Sequence, residues 1–115
     1  MTLQELFEEL TSLSRHPAGR TIFSAGETGD VMYLIQEGEV EIVNDDRVLR
    51  TLGPGEMFGE MALIGDEPRS ASAIAKTDCA LLPVDEHRFL FLVQQNPYFS
   101  LQVMETLASR LRSLS

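Results

Sequence analysis

The sequence predicts an α+β domain in which a set of short antiparallel β-strands is flanked by helices. Between residues 20 and 84, short runs rich in β-branched and aromatic residues alternate with Gly and Asp turns. Turns spaced roughly ten residues apart are typical of a sandwich, jelly roll or small barrel. Residues 2–14 and 85–114 instead show apolar residues at helical spacing. The length of 115 residues suits a single domain with its own core.

Residues 2–14 are predicted to form an amphipathic helix. Its apolar side chains recur at helical spacing and are Leu3, Leu6, Phe7, Leu10 and Leu13. Thr2 is suited to cap the helix, with Glu5 three residues later. Pro17 and Gly19 then end the segment.

Six strands can be recognised from the pattern, at residues 20–23, 31–36, 39–43, 48–52, 71–76 and 80–84. The run 31–36 is apolar on both faces and should be buried on both. In the run 39–43 charged and aliphatic residues alternate, so Val40 and Ile42 should point inward. Gly38 separates these two runs and should mark a tight turn or a bulge, because glycine adopts positive φ freely.

Two helices are predicted after residue 84. Asp85 is a suitable cap for the first, which should run to about Gln95 before Asn96-Pro97 interrupts it. Its apolar positions are Phe89, Leu90, Leu92 and Val93.

The second of these helices is predicted over residues 98–114 and carries two apolar lines. One is a coiled-coil-like seam formed by Met104, Leu107, Leu111 and Leu114. The other consists of Phe99 and Val103, which can face the domain body. The two lines could instead form one wide stripe packed on the domain itself. We favour the seam, which predicts a homodimer through this helix.

The overall charge excludes some classes of partner. The formal net charge is −9, whereas direct nucleic-acid binding needs a basic surface.

No apolar run approaches the ~20 residues needed to cross a bilayer. The N-terminus lacks the basic and apolar blocks of a secretory signal, and the single cysteine, Cys79, fits a reducing compartment as a buried small residue. We therefore expect a cytoplasmic protein with neither a membrane nor a nucleic-acid partner.

The most informative stretch is residues 58–73, which read FGEMALIGDEPRSASA. Gly59 allows close approach of the backbone to a ligand, and the next residues can form a helical turn whose N–H groups suit a phosphate. Arg69 offers a planar fork for two phosphate oxygens, and Ser70 adds a hydroxyl. Glu60 would be repelled by a phosphate unless it does separate work, such as accepting a hydrogen bond from a ribose hydroxyl. Phosphate with ribose indicates a nucleotide.

Each of these residues also has a simpler explanation. Glu60 could be an acidic residue in the first turn of a helix, where the dipole favours it. Arg69 could be a surface cation paired with Asp66 or Glu67. Ser70 and Ser72 could be exposed strand positions. Because all of them fall within a dozen residues bracketed by glycines, the binding-site interpretation is the better one.

This stretch resembles the phosphate-binding cassette of the cyclic nucleotide-binding domain family, of the catabolite activator and cAMP-dependent protein kinase regulatory subunit type. The match rests on FGEMAL followed by PRSA, and nearly the whole chain shares the resemblance, including LGPGEMFGE and the spacing of Gly26, Gly29 and Gly38. It implies an eight-stranded antiparallel β roll (jelly-roll-like) over residues 20–84, with the cassette at 58–71, an N-terminal helix and C-terminal helices.

The resemblance also implies the ligand-binding residues. They are Phe58, Gly59, Glu60, Met61, Ala62, Arg69, Ser70 and Ala71. Glu60 would accept from the ribose 2′-hydroxyl, and Arg69 would pair with the cyclic phosphate. Ser70 stands where members that prefer cGMP often carry Thr, which favours cAMP. The final helix would cover the base, with Met104, Leu107 or Arg110 as candidates that the family motif does not fix.

The expected function is therefore that of a cyclic nucleotide sensor rather than an enzyme. The chain has only His16 and His87, in no H-x-H pattern, so we expect no metal site and no cofactor besides the ligand, cAMP or cGMP. The sequence stops at Ser115 without a winged helix-turn-helix, so we expect a regulatory domain without its own DNA-binding or catalytic segment, acting on an unidentified effector protein. The alternative is a fold that no longer binds nucleotide and serves as a dimerisation or docking module.

Overall fold

A computed structural model describes residues 13–64 and 67–112, without the side chains of residues 64, 107 and 110–112. It contains these strands: β1 Ser14–His16, β2 Thr21–Phe23, β3 Met32–Glu37, β4 Val40–Asn44, β5 Arg47–Leu52, β6 Met57–Phe58, β7 Ser72–Ala75 and β8 Cys79–Val84. Its helices are α1 Met61–Ile64, α2 Glu86–Gln95 and α3 Tyr98–Arg112.

The strands form two four-stranded antiparallel sheets, in the orders β1-β8-β3-β6 and β2-β7-β4-β5. Helices α2 and α3 follow the last strand. The predicted α+β class and the eight-stranded antiparallel β roll are confirmed. The six strands recognised from the pattern are present within one or two residues of their expected bounds, and β1 and β6 are additional.

The core has two parts, and β3 contributes to both. The part that includes the helices contains Met32, Leu34, Met57, Leu82, Val84, Leu92, Phe99 and Val103. The part between the sheets contains Phe23, Ile35, Val40, Leu52, Phe58, Ala73, Ala75, Cys79 and Leu81. Leu34 and Ile35 are adjacent in β3 and enter different parts, since successive strand residues point to opposite faces. The predicted burial of this run on both faces is therefore confirmed.

The N-terminal boundary differs from the prediction. Residues 1–12 of the predicted helix lie outside the described part of the chain. Ser14, its last predicted residue, instead begins β1 and pairs with Leu81 of β8, so the roll starts before residue 20. At Ser14, pairing with a buried strand outweighs the helical spacing of the preceding apolar residues. The last of those residues, Leu13, packs against the part of the core that includes the helices.

Two strand connections are tight turns, and the first confirms the turn predicted at Gly38. Gly38 joins β3 to β4 with φ of 90°, a conformation that glycine adopts without strain. Asp45 and Asp46 join β4 to β5 with φ of 51° and 63°, and two positive φ values are the mark of a type I′ hairpin turn.

The helices agree with the prediction except at one position. The carboxylate of Asp85 accepts from the backbone N–H of Arg88 at 2.8 Å, so Asp85 caps α2 as expected. Leu92 is fully buried, but the predicted apolar position Leu90 is 59% exposed, because two residues along a helix turn the side chain about 200°. Among the described residues, the structure contains no helix long and apolar enough to span a membrane.

The two apolar lines of α3 have different environments. Phe99 is fully buried and Val103 is 5% exposed, so the line that faces the domain body is confirmed. Met104 is 56% exposed. The side chains of Leu107 and Leu111, and the whole of Leu114, lie outside what the structure describes. The seam therefore stays a prediction.

Candidate functional site

A cavity of about 480 Å³ opens between the cassette and the β4–β5 hairpin. All eight residues predicted to bind the ligand line it, so the structure brings them together at one place. The other lining residues are Phe23, Ile42, Leu49, Arg50, Glu67 and Pro68. The cassette motif did not identify these six residues. Four of them come from strands that precede the cassette, and only the fold brings them to it.

Arg69 is held at one wall of this cavity by backbone carbonyls. Its Nη2 donates to the carbonyl of Val31 at 2.7 Å and its Nη1 to that of Gly59 at 3.2 Å. Its Nε is buried and has no hydrogen-bond partner among the described residues. An arginine has five N–H donors, so these two bonds leave part of the guanidinium for an anion.

Burial and nearby carboxylates act on the pKa of Arg69 in opposite directions. Burial lowers the pKa of Arg69, while the charges of Asp30 and Glu27 oppose that shift. The group stays protonated, because arginine is not deprotonated in proteins. An exposed ion pair of Arg69 with Glu67 or Asp66 was the simpler explanation. The hydrogen bonds of Arg69 go instead to carbonyls, and Asp66 lies outside the described residues.

Two backbone hydrogen bonds tie Arg69 to the loop between β2 and β3. The N–H of Arg69 donates to the carbonyl of Glu27 at 2.8 Å, and that of Gly26 to the carbonyl of Arg69 at 2.8 Å. Ser72 adds a third link, since its hydroxyl accepts from the N–H of Ala25 at 2.9 Å. Ser72 therefore has a structural role, whereas Ser70 is exposed at the cavity wall.

Glu60 is a buried carboxylate at the same cavity. It is 3% exposed and lies between Gly59, with φ of 75°, and the start of α1. An acidic residue that only favoured the helix dipole would be expected in solvent, because burial of a carboxylate is costly unless it is hydrogen-bonded. Glu60 is therefore a buried residue that lines the cavity together with Arg69.

The turn at α1 has its own backbone bonds. The N–H of Ala62 donates to the carbonyl of Gly59 at 3.2 Å, and that of Leu63 to the carbonyl of Glu60 at 3.1 Å. The backbone donor of Ala62 is thus engaged within the turn. Ala62 lines the cavity as a small side chain.

A bulge in β5 directs two consecutive side chains to the cavity. Ile42 pairs with Arg50 and Val43 with Val48, which leaves Leu49 as the extra residue. A bulge changes the direction of a side chain, and here Leu49 and Arg50 both line the cavity. No turn residue or break in the sequence marks this bulge.

Arg50 also lines a second cavity of about 350 Å³ between the roll and α3. The residues of α3 on that side are Gln102, Glu105, Thr106 and Ser109. Met104 is not among the lining residues of the cassette cavity, and the side chains of Leu107 and Arg110 lie outside the described part. Coverage of the base by one of these three stays a prediction.

The fold and the site together define a class of protein. It is a β-roll ligand-binding domain whose cavity combines a guanidinium, a buried carboxylate and an apolar wall. Such a cavity suits a small ligand that has an anionic, a hydroxyl and an apolar part.

Comparison with known proteins places the chain within that class. The family model described as cyclic nucleotide-binding domain matches residues 13–96. The chain belongs to the cyclic nucleotide-binding domain family, of the catabolite activator and kinase regulatory subunit type.

Three similar proteins illustrate the relationship. The cyclic AMP receptor protein of Thermus thermophilus is 38% identical over 84% of this chain and 47% of its own length. The cAMP-dependent protein kinase regulatory subunit of Eremothecium gossypii is 38% identical over 77% of this chain and 18% of its own length. The crystal structure of the Thermus thermophilus catabolite activator protein has 35% identity and a TM-score of 0.80, over 99% of this chain and 57% of its own. The chain thus spans about half, or less, of the curated relatives it matches.

Proposed function

We propose that this chain binds a cyclic nucleotide in the cassette cavity and acts as a regulatory sensor domain, with cAMP favoured over cGMP. One observation supports this most strongly: the guanidinium of Arg69 and the buried carboxylate of Glu60 line the same cavity. A cyclic nucleotide has one phosphate charge and one free ribose hydroxyl, which match a cationic fork and an anionic acceptor.

Each part of the nucleotide has a matching wall. The cyclic phosphate would lie at Arg69 and Ser70. The ribose 2′-hydroxyl would donate to Glu60. The base would lie against the roll, where Ile42 and Leu49 provide an apolar surface.

Two residues bear on the choice of base, in opposite directions. Ser70, in place of Thr, favours cAMP by resemblance to family members. Arg50 also lines the cavity, and arginine side chains pair well with the O6 and N7 acceptors of guanine. Arg50 makes cGMP the second candidate, and the titration below includes both nucleotides.

The effect of ligand binding would be transmitted to the effector through α3. A ligand can shift a helix only through differential affinity for its two arrangements. Arg50 lines both the cassette cavity and the cavity beside α3, so it offers a route from ligand to helix. In this proposal the domain is cytoplasmic, dimerises through α3, and signals to a protein effector without catalysis, cofactor or metal.

The test is calorimetric titration of the protein with cAMP and with cGMP. Arg69→Ala removes a charge-assisted contact worth about 1.5–3 kcal/mol, which predicts roughly 10- to 100-fold weaker binding. Arg15→Ala is the matched control, because it removes an equal charge at a position 74% exposed in its side chain and outside the cavity.

Two results would contradict this function. Absence of heat with either nucleotide from folded wild-type protein would favour the docking-module alternative. Equal affinity in wild type and Arg69→Ala would instead show that nucleotide binds without this guanidinium.

A further inference from the structure

We infer that Phe23 and Gly29 are positioning residues that orient the guanidinium of Arg69 before any ligand binds. The role in affinity rests on the proposed function, whereas the orientation itself can be tested without a ligand. Both residues precede the cassette by roughly 30 to 35 positions in the chain, and neither was predicted to bind the ligand.

Phe23 provides a flat surface beneath the guanidinium. The Cζ of Arg69 lies 4.0 Å from the centroid of the Phe23 ring. A guanidinium over an aromatic face is held by cation–π attraction and by stacking of the two planes. The ring is fixed in turn, because it packs against Tyr33 at 6.2 Å and Phe58 at 5.9 Å between centroids. Phe23 is 9% exposed.

Gly29 lies close to the Nε and Nη2 atoms of the guanidinium. A Cβ built at Gly29 would overlap the Nε and Nη2 of Arg69 and come within 2.6 Å of its Cζ. The backbone of Gly29 does not have a positive φ, so its conformation does not itself require glycine. An added methyl group at Gly29 would displace the end of the Arg69 side chain, which is flexible. Glycine here provides space for the guanidinium.

These contacts leave the guanidinium little freedom. The Phe23 ring, Gly29 and the carbonyls of Val31 and Gly59 constrain it, while its Nε has no hydrogen-bond partner among the described residues. The terminal N–H groups that do not bond these carbonyls are then held in a fixed direction for an incoming phosphate oxygen. A side chain ordered in advance also avoids an entropy cost on binding.

The direct test is the ¹⁵N-¹H signal of the Arg69 Nε–H group in the ligand-free protein, assigned by its loss in Arg69→Ala. The ring current of Phe23 should shift this proton upfield. Phe23→Leu and Gly29→Ala should return it to the ordinary arginine position, and Phe23→Tyr should retain the shift. An unshifted wild-type signal, or one that neither substitution changes, would overturn the inference even if the protein binds no nucleotide.

The second test measures affinity for the cyclic nucleotide. Phe23→Leu and Gly29→Ala should each weaken binding roughly 3- to 30-fold. In an Arg69→Ala background the same changes should cost less than about 2-fold, since the residue they position is absent. Equal losses in both backgrounds would show that they act on the wall of the cavity rather than through Arg69.

Fold integrity has its own control. Phe23 is part of the core, so Phe23→Leu could lower the melting temperature. Gly29→Ala leaves every core side chain in place and should lower the melting temperature less than Phe23→Leu does, so its effect on the Nε–H signal in folded protein decides the inference.

Discussion

Glu60 combines almost complete burial with a position at the cassette cavity. At 3% exposure its carboxylate lies at the cavity with Arg69, where a ribose hydroxyl would be its natural donor. Arg69 and Glu60 were both predicted from the motif, because each carries a charge suited to one part of the ligand. The support of Arg69 by Phe23, Gly29 and Val31 could not be predicted, since it depends on how strands far apart in the chain meet.

Glu60→Gln is expected to weaken binding of cAMP on the order of tenfold, because a charged acceptor is replaced by a neutral one. Titration with 2′-deoxy-cAMP provides the control, as this analogue lacks the hydroxyl that Glu60 would bind. The variant and the wild type should bind the analogue within about 2-fold of each other. A tenfold loss with the analogue as well would exclude the ribose contact.

Cys79 is expected to be unreactive in the folded protein. It is buried, its Sγ contacts the carbonyls of Glu39 and Thr77 at 3.2 Å, and burial raises the pKa of its thiol. The thiolate is the reactive form, so iodoacetamide at pH 8 should label Cys79 slowly in native protein and rapidly in urea. Mass spectrometry measures both rates, and equal rates would contradict the burial of this side chain.

At the scale of elements, the sequence predicted features that depend on residues close together in the chain. It did not predict features that depend on how one strand pairs with another. Asp85 was identified as the cap of α2 because the signal lies within four residues. Strand β1 was missed, because its pairing partner β8 lies some 65 residues away in sequence. The bulge at Leu49 was missed although its partner β4 is the neighbouring strand, because the bulge is defined by the register of pairing and no residue type marks it.

Gly38 is expected to be essential for the β3–β4 connection. An added Cβ there would overlap the carbonyl of Asp78 and lie 2.8 Å from the Sγ of Cys79, at φ of 90°. Gly38→Ala should therefore lower the free energy of unfolding by about 1–3 kcal/mol or more. Urea denaturation measures this loss.

Two glycines provide matched controls for Gly38. Gly55 has a positive φ of 86° but open space around it. The loss of stability in Gly55→Ala therefore reports backbone strain alone and should be smaller than the loss in Gly38→Ala. Gly53→Ala has open space and no positive φ, and should be neutral or slightly stabilising. Similar losses at Gly38 and Gly55 would show that the overlap with Asp78 is relieved at no cost.

At the scale of the whole molecule, α3 joins the core to an exposed face. Phe99 and Val103 anchor it in the core, whereas Tyr98, Leu101 and Met104 are exposed apolar residues. Helical spacing predicted the buried line correctly. The same spacing could not decide whether the exposed line meets a second chain, because a seam and a wide amphipathic stripe share their period.

The proposed homodimer predicts that Met104→Glu converts the protein to a monomer, because a charge would be buried at the seam. Leu90→Glu is the control, since Leu90 is an equally exposed apolar residue on α2. Light scattering measures the mass of each variant at matched concentration. A monomeric wild type, or loss of the dimer in both variants, would contradict a seam on α3.

The proposed function requires that the cassette cavity of this chain binds a cyclic nucleotide. Calorimetric titration of wild-type protein with cAMP, and in parallel with cGMP, tests it most directly. Saturable heat is expected with at least one of them at one nucleotide per chain, and little heat with the matching nucleoside, which lacks the phosphate for Arg69. Folded protein that gives no heat with either nucleotide, or binds the nucleoside equally well, would contradict it.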